Sequence, residues 1–376
     1  MKIFERVNRP LLFSIAAVAI AASCQKPQDN LLEPDPLDDG TPVKVLLGTN
    51  VINATAKASG PLDKFNRTTL SIFAIDKAST DWTQGDPFLL KNYSVTTEAN
   101  LTSTSTPTSI ETDKYYKDNV NYKFFGYYVD DLLHTDDKLK VTADAVTLPV
   151  EITGYEDILL ATTDEAEDYK AAQQTAQNNN QTFNTNRVYS AYSARRDVVP
   201  NLVFNHQLTR LDFVFETGEA IDENTKVEVV GIAVGSVKKG LLTVAGDGQG
   251  LAPANENEVD LPLKYPTENA PLAMPSAKGD NADFGSNGNS IMVYPKAGSY
   301  KLAIKIRQSK KVGENTWTDG TVEERTFSIA LSGGADFKAG KKYEVTVITY
   351  GMEPVIVGVK LSDWAVGENV TIDSDK

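Results

Sequence analysis

The chain has 376 residues, 37 basic and 51 acidic side chains, and a formal net charge of −14. That field opposes binding to nucleic acid or to anionic lipid headgroups. One cysteine excludes an intrachain disulfide, and two histidines, His134 and His206, supply none of the paired His/Cys spacings of a zinc site.

The chain opens with Lys2, Arg6 and Arg9, then an apolar run over residues 11–20, then Ala21, Ala22, Ser23 and Cys24. This is the anatomy of a secretory signal. The run is too short to cross a bilayer, which takes about 20 apolar residues. The small residues before Cys24 resemble a bacterial lipobox. That resemblance implies a diacylglyceryl group on the thiol, cleavage before Cys24 and acylation of the new amine. Two or more acyl chains hold a protein stably at a membrane. Residues 1–23 are expected to be a signal peptide. Residues 24–41, with three prolines and several acids, are expected to be a flexible tether.

Beyond the tether the pattern is β. Short stretches rich in Val, Ile, Tyr, Phe and Thr recur between Gly, Pro, Asn and Asp clusters. They fall at 43–52, 69–75, 121–129, 158–161, 202–204 and 211–215, then at 226–234, 241–244 and 290–294. Residues 300–306 alternate strictly, with Leu302, Ile304 and Ile306 on one face and Lys301 and Lys305 on the other. Residues 322–331, 343–350 and 355–361 complete the series. So many short strands predict antiparallel sandwiches. One segment departs from the pattern. Residues 164–193 read as a short helix followed by an Asn-rich polar loop, leaving open a helix, a loop or a binding element. A domain joint is expected near Arg195, Arg196 and Asp197. It gives an N-terminal sandwich over 42–195 and a C-terminal one over 196–376.

No catalytic motif stands out: there is no GxSxG, GxGxxG or Walker-type loop, and no HExxH. Acidic pairs such as Asp130-Asp131 and Asp136-Asp137 lack EF-hand spacing and read as solvated turns. No catalytic residue, metal or cofactor is assigned. His206, between Phe204 and Leu208, reads as an interior histidine. Tyrosines 115, 116, 122, 127 and 128 suggest sugar stacking, but period-2 alternation turns half of them inward.

Several segments in order resemble the Bacteroidales fimbrillin-like lipoproteins, which include type V pilins. They are the lipobox start, Lys57-Ala58-Ser59-Gly60 leading into 69–75, and the tyrosine-rich 121–128 followed by 157–161. Next comes 202–213 with its Phe-Asn-His-Gln-Leu-Thr-Arg-Leu core, and last 337–347 with a terminal strand ending at Trp364. The resemblance implies two tandem transthyretin-like antiparallel β-sandwich domains and a structural role without catalysis. It implies a lipoprotein of the outer membrane, on the cell surface or in a fimbrium, as stalk, anchor or tip subunit. Its partners would be other pilin subunits, joined by strand exchange, and host or bacterial surface ligands. In such assembly a protease removes the first strand and another subunit's strand fills the groove, which is β-augmentation. Here the removable strand would contain Val43, Val45 and Leu47. Lys57 stands where these pilins usually carry the cleaved arginine, and Arg67 is the nearest alternative. A donor strand would carry Val355, Val357, Val359 and Leu361 on one face. An alternative role is a surface glycan-binding lipoprotein of a polysaccharide-uptake system.

Overall fold

The computed structural model describes residues 35–51, 69–96, 108–129, 138–254 and 257–362. Cys24, Lys57, Arg67, His134 and Trp364 lie outside these residues. From Leu37 on the chain forms one compact unit.

Its strands in chain order are β1 (Lys44–Val51), β2 (Thr69–Asp76), β3 (Phe88–Thr96), β4 (Thr108–Tyr115), β5 (Tyr122–Val129), β6 (Lys140–Val141), β7 (Ala145–Glu151) and β8 (Ile158–Thr163). Three short helices follow: α1 (Glu165–Asp168), α2 (Lys170–Asn178) and α3 (Ala191–Ala194). Then come β9 (Asn201–His206), β10 (Thr209–Thr217), β11 (Thr225–Ser236), β12 (Lys239–Gly246), β13 (Gly250–Pro253), β14 (Val259–Pro262) and β15 (Leu272–Ala273). The last are β16 (Ser290–Val293), β17 (Ser299–Lys311), β18 (Trp317–Ala330), β19 (Lys342–Tyr350) and β20 (Glu353–Ser362). The fold is all-β and sandwich-like.

A seven-stranded sheet runs β3-β2-β5-β8-β9-β1-β4. Its middle is apolar on both faces, as a strand covered on both sides must be. On β2, Leu70, Ile72 and Ala74 enter a front core, while Phe73 and Ile75 enter a back core. On β8, Leu159 and Ala161 face front, and Ile158 and Leu160 face back. β9 follows the expected joint at residues 195–196 yet pairs with β8 and β1 in this sheet.

The back core continues into the second half. There β16-β10-β19-β20 and β14-β11-β17-β18 form two sheets. Leu211, Phe213, Phe215, Val345 and Val347 of the first share this core with Val229, Ile232, Leu302, Ile304 and Ile306 of the second. On β10 the burial alternates at every residue from Thr209 to Thr217, the mark of a strand with one face to a core. A fourth sheet, β13-β12-β7-β6, ties the halves together, because β7 pairs antiparallel with β12.

The 164–193 departure resolves into helix, turn and core plug. Asp164 caps α1 by accepting from the N–H groups of Ala166 and Glu167. The segment beyond α2 then lays Phe183, Val188, Tyr189 and Tyr192 into the front core. Tyr169 stacks on Phe183 at 5.5 Å, and Tyr189 meets Phe124 edge-on at 5.6 Å. Each such aromatic pair contributes about 1 kcal/mol beyond its buried area.

Candidate functional site: the first-strand slot

β1 is the first described strand of the chain, yet it lies inside a sheet. It runs parallel to β9, with Gly48 opposite Asn201 and Val51 opposite Phe204. On its other side it runs antiparallel to β4, with Leu47 opposite Ile110 and Thr49 opposite Thr108. Neither neighbour is joined to it by a hairpin. β4 begins 57 positions after β1 ends, and β9 lies beyond the helical insert.

The sequence KVLLGTNV forms this strand because its period-2 residues meet the front core. Val45 and Leu47 are fully buried and Thr49 nearly so. Leu46, on the other face, is only half-buried, so β1 is covered on one face where β2 and β8 are covered on two. Full burial of two aliphatic side chains contributes about 1.5–3 kcal/mol each. Neighbouring strands stand about 4.8 Å apart, so the space between β9 and β4 is about 9.5 Å wide, one strand.

Directed bonds fix the register. The Gly48 N–H donates to the Pro200 carbonyl at 2.9 Å, and the Tyr116 N–H to the Val43 carbonyl at 2.9 Å. Thr112 is buried and its hydroxyl donates to the Val45 carbonyl at 2.9 Å. The Lys44 ammonium meets Glu111 at 2.8 Å, which raises the lysine pKa and lowers that of the acid through their mutual hydrogen bond. Ahead of β1, Arg195 donates to the Asp38 carboxylate at 2.6 Å. A cleft of about 680 Å³ opens there between Leu37–Leu46 and the chain around Arg195–Val199.

The β9 wall is anchored from the insert. Asp168 accepts from the Tyr189 hydroxyl at 2.5 Å and from the Asn201 N–H at 2.8 Å. Burial raises the Asp168 pKa above the ordinary carboxylate value, against those two bonds. At the far end of β9, His206 is buried with its Nδ1 2.8 Å from Asp157. It is an interior histidine held by a carboxylate. Close to β4, Tyr116 and Tyr122 are buried with rings 6.1 Å apart, and neither hydroxyl has a hydrogen-bond partner among the described residues. Desolvation raises both, the Tyr122 hydroxyl to about 12. Tyr127 is also buried, Tyr128 half-buried and Tyr115 half-exposed, so most of the tyrosine cluster is core.

Val45 and Leu47 thus sit inside the slot, and Val43 at its mouth. The other set, Val355, Val357, Val359 and Leu361, lies on β20, which among the described strands is an edge strand paired with β19. Val359 is buried and Leu361 half-buried against the back core. The ladder slips by one residue between Thr346 and Val347, so Gly358 and Ile356 stand opposite consecutive residues of β19. Along the backbone Val355 stands opposite Ile348 and Val359 opposite Val345, with the slip between them. A bulge cannot be read from a run of valines. The sequence reading also missed β4, whose polar TSIETDKY carries only a weak alternation at Ile110 and Thr112.

Among the described residues no three His, Cys, Asp or Glu side chains gather to hold a metal, and no helix is long and apolar enough to cross a membrane.

The fold and slot define an all-β, sandwich-like protein with its leading strand inserted between later ones. The fimbrillin-like family model matches residues 61–364, and the chain belongs to that family. No curated protein matches. Among solved structures, the chain is similar to a fimbrial protein from Bacteroides vulgatus at 15% identity and TM-score 0.51, covering 85% of this chain and 99% of that one. A candidate cell adhesion protein from Bacteroides ovatus aligns at 13% identity and TM-score 0.47, covering 87% and 100%. Another from Bacteroides uniformis aligns at 15% and 0.44, covering 86% and 98%. The first likeness concerns the fold alone, and the other two carry no argument.

Proposed function

We propose that this protein is a lipid-anchored, non-catalytic subunit of a cell-surface fimbrium that assembles by strand exchange. The observation that carries the reading is the place of β1: a leading strand inside a sheet, with a ladder on each side and no hairpin to either. Cutting the chain between β1 and β2 would free that strand without dividing any other described element. Its loss would uncover a one-strand gap lined by front-core residues and two unpaired edges, which demand a partner strand.

In this reading Cys24 carries the lipid, and Lys57 or Arg67 is the cleavage position. The replacement strand comes from another subunit, and β20, with Val359 and Leu361, is the candidate donor. The working halves are a strand-accepting half through His206 and a second sandwich from Thr209. While β1 stays, the protein remains at the outer membrane; once it is cut away, the lipid goes with it.

The test is trypsin treatment of the mature chain, followed by N-terminal sequencing and SDS electrophoresis. The expected outcome is a new terminus between Val51 and Thr69 and SDS-resistant oligomers. A chain that loses 44–51 and stays monomeric overturns the exchange.

A further inference from the structure

We propose that β4 is a flap, and that β1 cannot leave its slot, nor a replacement enter, unless β4 swings away from the sheet first. The proposal rests on the strand-removal reading for its use, but the contacts that define the flap stand in the intact chain.

Among the described strands β4 has one ladder partner, β1. Its directed bonds run to the same segment: Thr112 to the Val45 carbonyl, Glu111 to Lys44, and the Tyr116 N–H to the Val43 carbonyl. Its own apolar anchorage is slight. Ile110 is half-buried and Thr112 buried, while Glu111, Asp113, Lys114 and Tyr115 are exposed. A strand so held owes its place to its neighbour rather than to the core.

A further tie among the described residues runs to β3. The seven-stranded sheet curls until its two edges face each other, and the Tyr93 hydroxyl of β3 donates to Asp113 of β4 at 2.8 Å. The Lys114 ammonium lies 5.9 Å from the Tyr93 ring centre. These are side-chain contacts with no ladder, so they form a clasp that can open. Tyr116, buried against Tyr122, fixes the C-terminal end of β4 and supplies the pivot.

The mechanical reason follows from the slot's width. A gap of one strand between two fixed walls demands that both ladders form or break together while Val45 and Leu47 pass between backbones. With β4 swung out, the β9 edge is open from the side. One ladder then forms at a time, and β4 closes over the occupant afterwards. β9 is the fixed wall, because Asp168 and β8 hold it independently of β1.

The test uses the intact chain with Cys24→Ser, Tyr93→Cys and Asp113→Cys, joined by a short bismaleimide, and reads native-state amide exchange under low urea. Crosslinking should slow exchange of the β1 amides at least tenfold relative to the uncrosslinked variant, with no change for β8. Independently, Tyr93→Phe opens the clasp and should speed β1 exchange several-fold, although β3, which carries Tyr93, has no ladder to β1 among the described strands. If β1 amides exchange at the same rate with β4 clamped or loosened, or only together with β8, the flap is overturned. A cleaved chain that never takes up a second strand would overturn strand exchange and leave this result unaffected, since here nothing is cut.

Discussion

β1 and β20 are single strands at opposite ends of the described chain, and the protein holds them in opposite ways. β1 has a ladder on each side, no hairpin and one buried face. β20 has one ladder, a tight hairpin through Gly351 and a bulge. Loss of β1 would open a gap inside a sheet and leave β4 without a partner. Loss of β20 would expose β19 as a new edge and uncover the part of the back core beneath Val359 and Leu361, but would open no gap inside a sheet. A strand can therefore be first in sequence and still be the piece whose absence the fold feels most. The strand at the rim is the one that can be offered to another molecule at little cost.

The largest expected contrast is in the core. Leu47→Ala should destabilise the chain by about 2–5 kcal/mol, the range for a fully buried leucine. Leu361→Ala, at a half-buried position on β20, should cost about 1 kcal/mol. Urea unfolding midpoints at constant slope measure both. Equal losses would mean that β20 is as deeply built in as β1, and the comparison would fail.

Part of this was legible in the residues. Alternation at Leu302, Ile304 and Ile306, and apolar runs at 69–75 and 158–161, placed core strands because burial on one or both faces dictates those patterns. Val45 and Leu47 were readable as a strand for the same reason. That β1 lies between β9 and β4 was not readable, since pairing is a long-range choice that local pattern does not encode. β7 hid behind Pro149, which usually argues against an interior strand, although Val146, Leu148 and Val150 are all buried. β4 hid because it draws its stability from β1 and so carries almost no apolar signal of its own. The plug residues Phe183 and Tyr189 sat in a stretch whose asparagines spoke louder than its aromatics.

A mid-sized effect sharpens the comparison at the level of single bonds. Thr112→Val keeps the shape and removes the buried hydroxyl bond to the Val45 carbonyl. About 1 kcal/mol should be lost, more if that carbonyl stays without a partner. On the β20 side, Lys360→Gln breaks the ion pair with Glu344 at 2.7 Å, where the lysine is 63% exposed. Solvent and salt screen such a pair, so the change should stay within about 0.5 kcal/mol. Thermal unfolding of both variants in one buffer compares them. A larger loss from Lys360→Gln would show that the rim strand depends on its charges more than the slot depends on its hydroxyl.

The smallest effect is read as a slope. Asp168 ties the insert to the β9 wall through the Asn201 N–H and the Tyr189 hydroxyl, and burial raises its pKa in the folded chain. An unfolded aspartate ionises near pH 3.9 or so. Between that value and the raised folded one, the native state keeps a proton that the unfolded state has lost. Stability from this group is therefore full below the unfolded value and falls as pH rises through the window. Asp168→Asn keeps an acceptor oxygen and cannot ionise, so the stability of wild type relative to this variant should decline across the window and then level off. Among the described residues no buried carboxylate lies at the hinge of β20, and Glu353→Gln, at a 68% exposed side chain, should produce no comparable slope. A flat difference for Asp168→Asn would mean that the wall of the slot is held by packing of the aromatic plug alone, and β9 would then be fixed by Tyr189 and Phe183 rather than by the carboxylate between them.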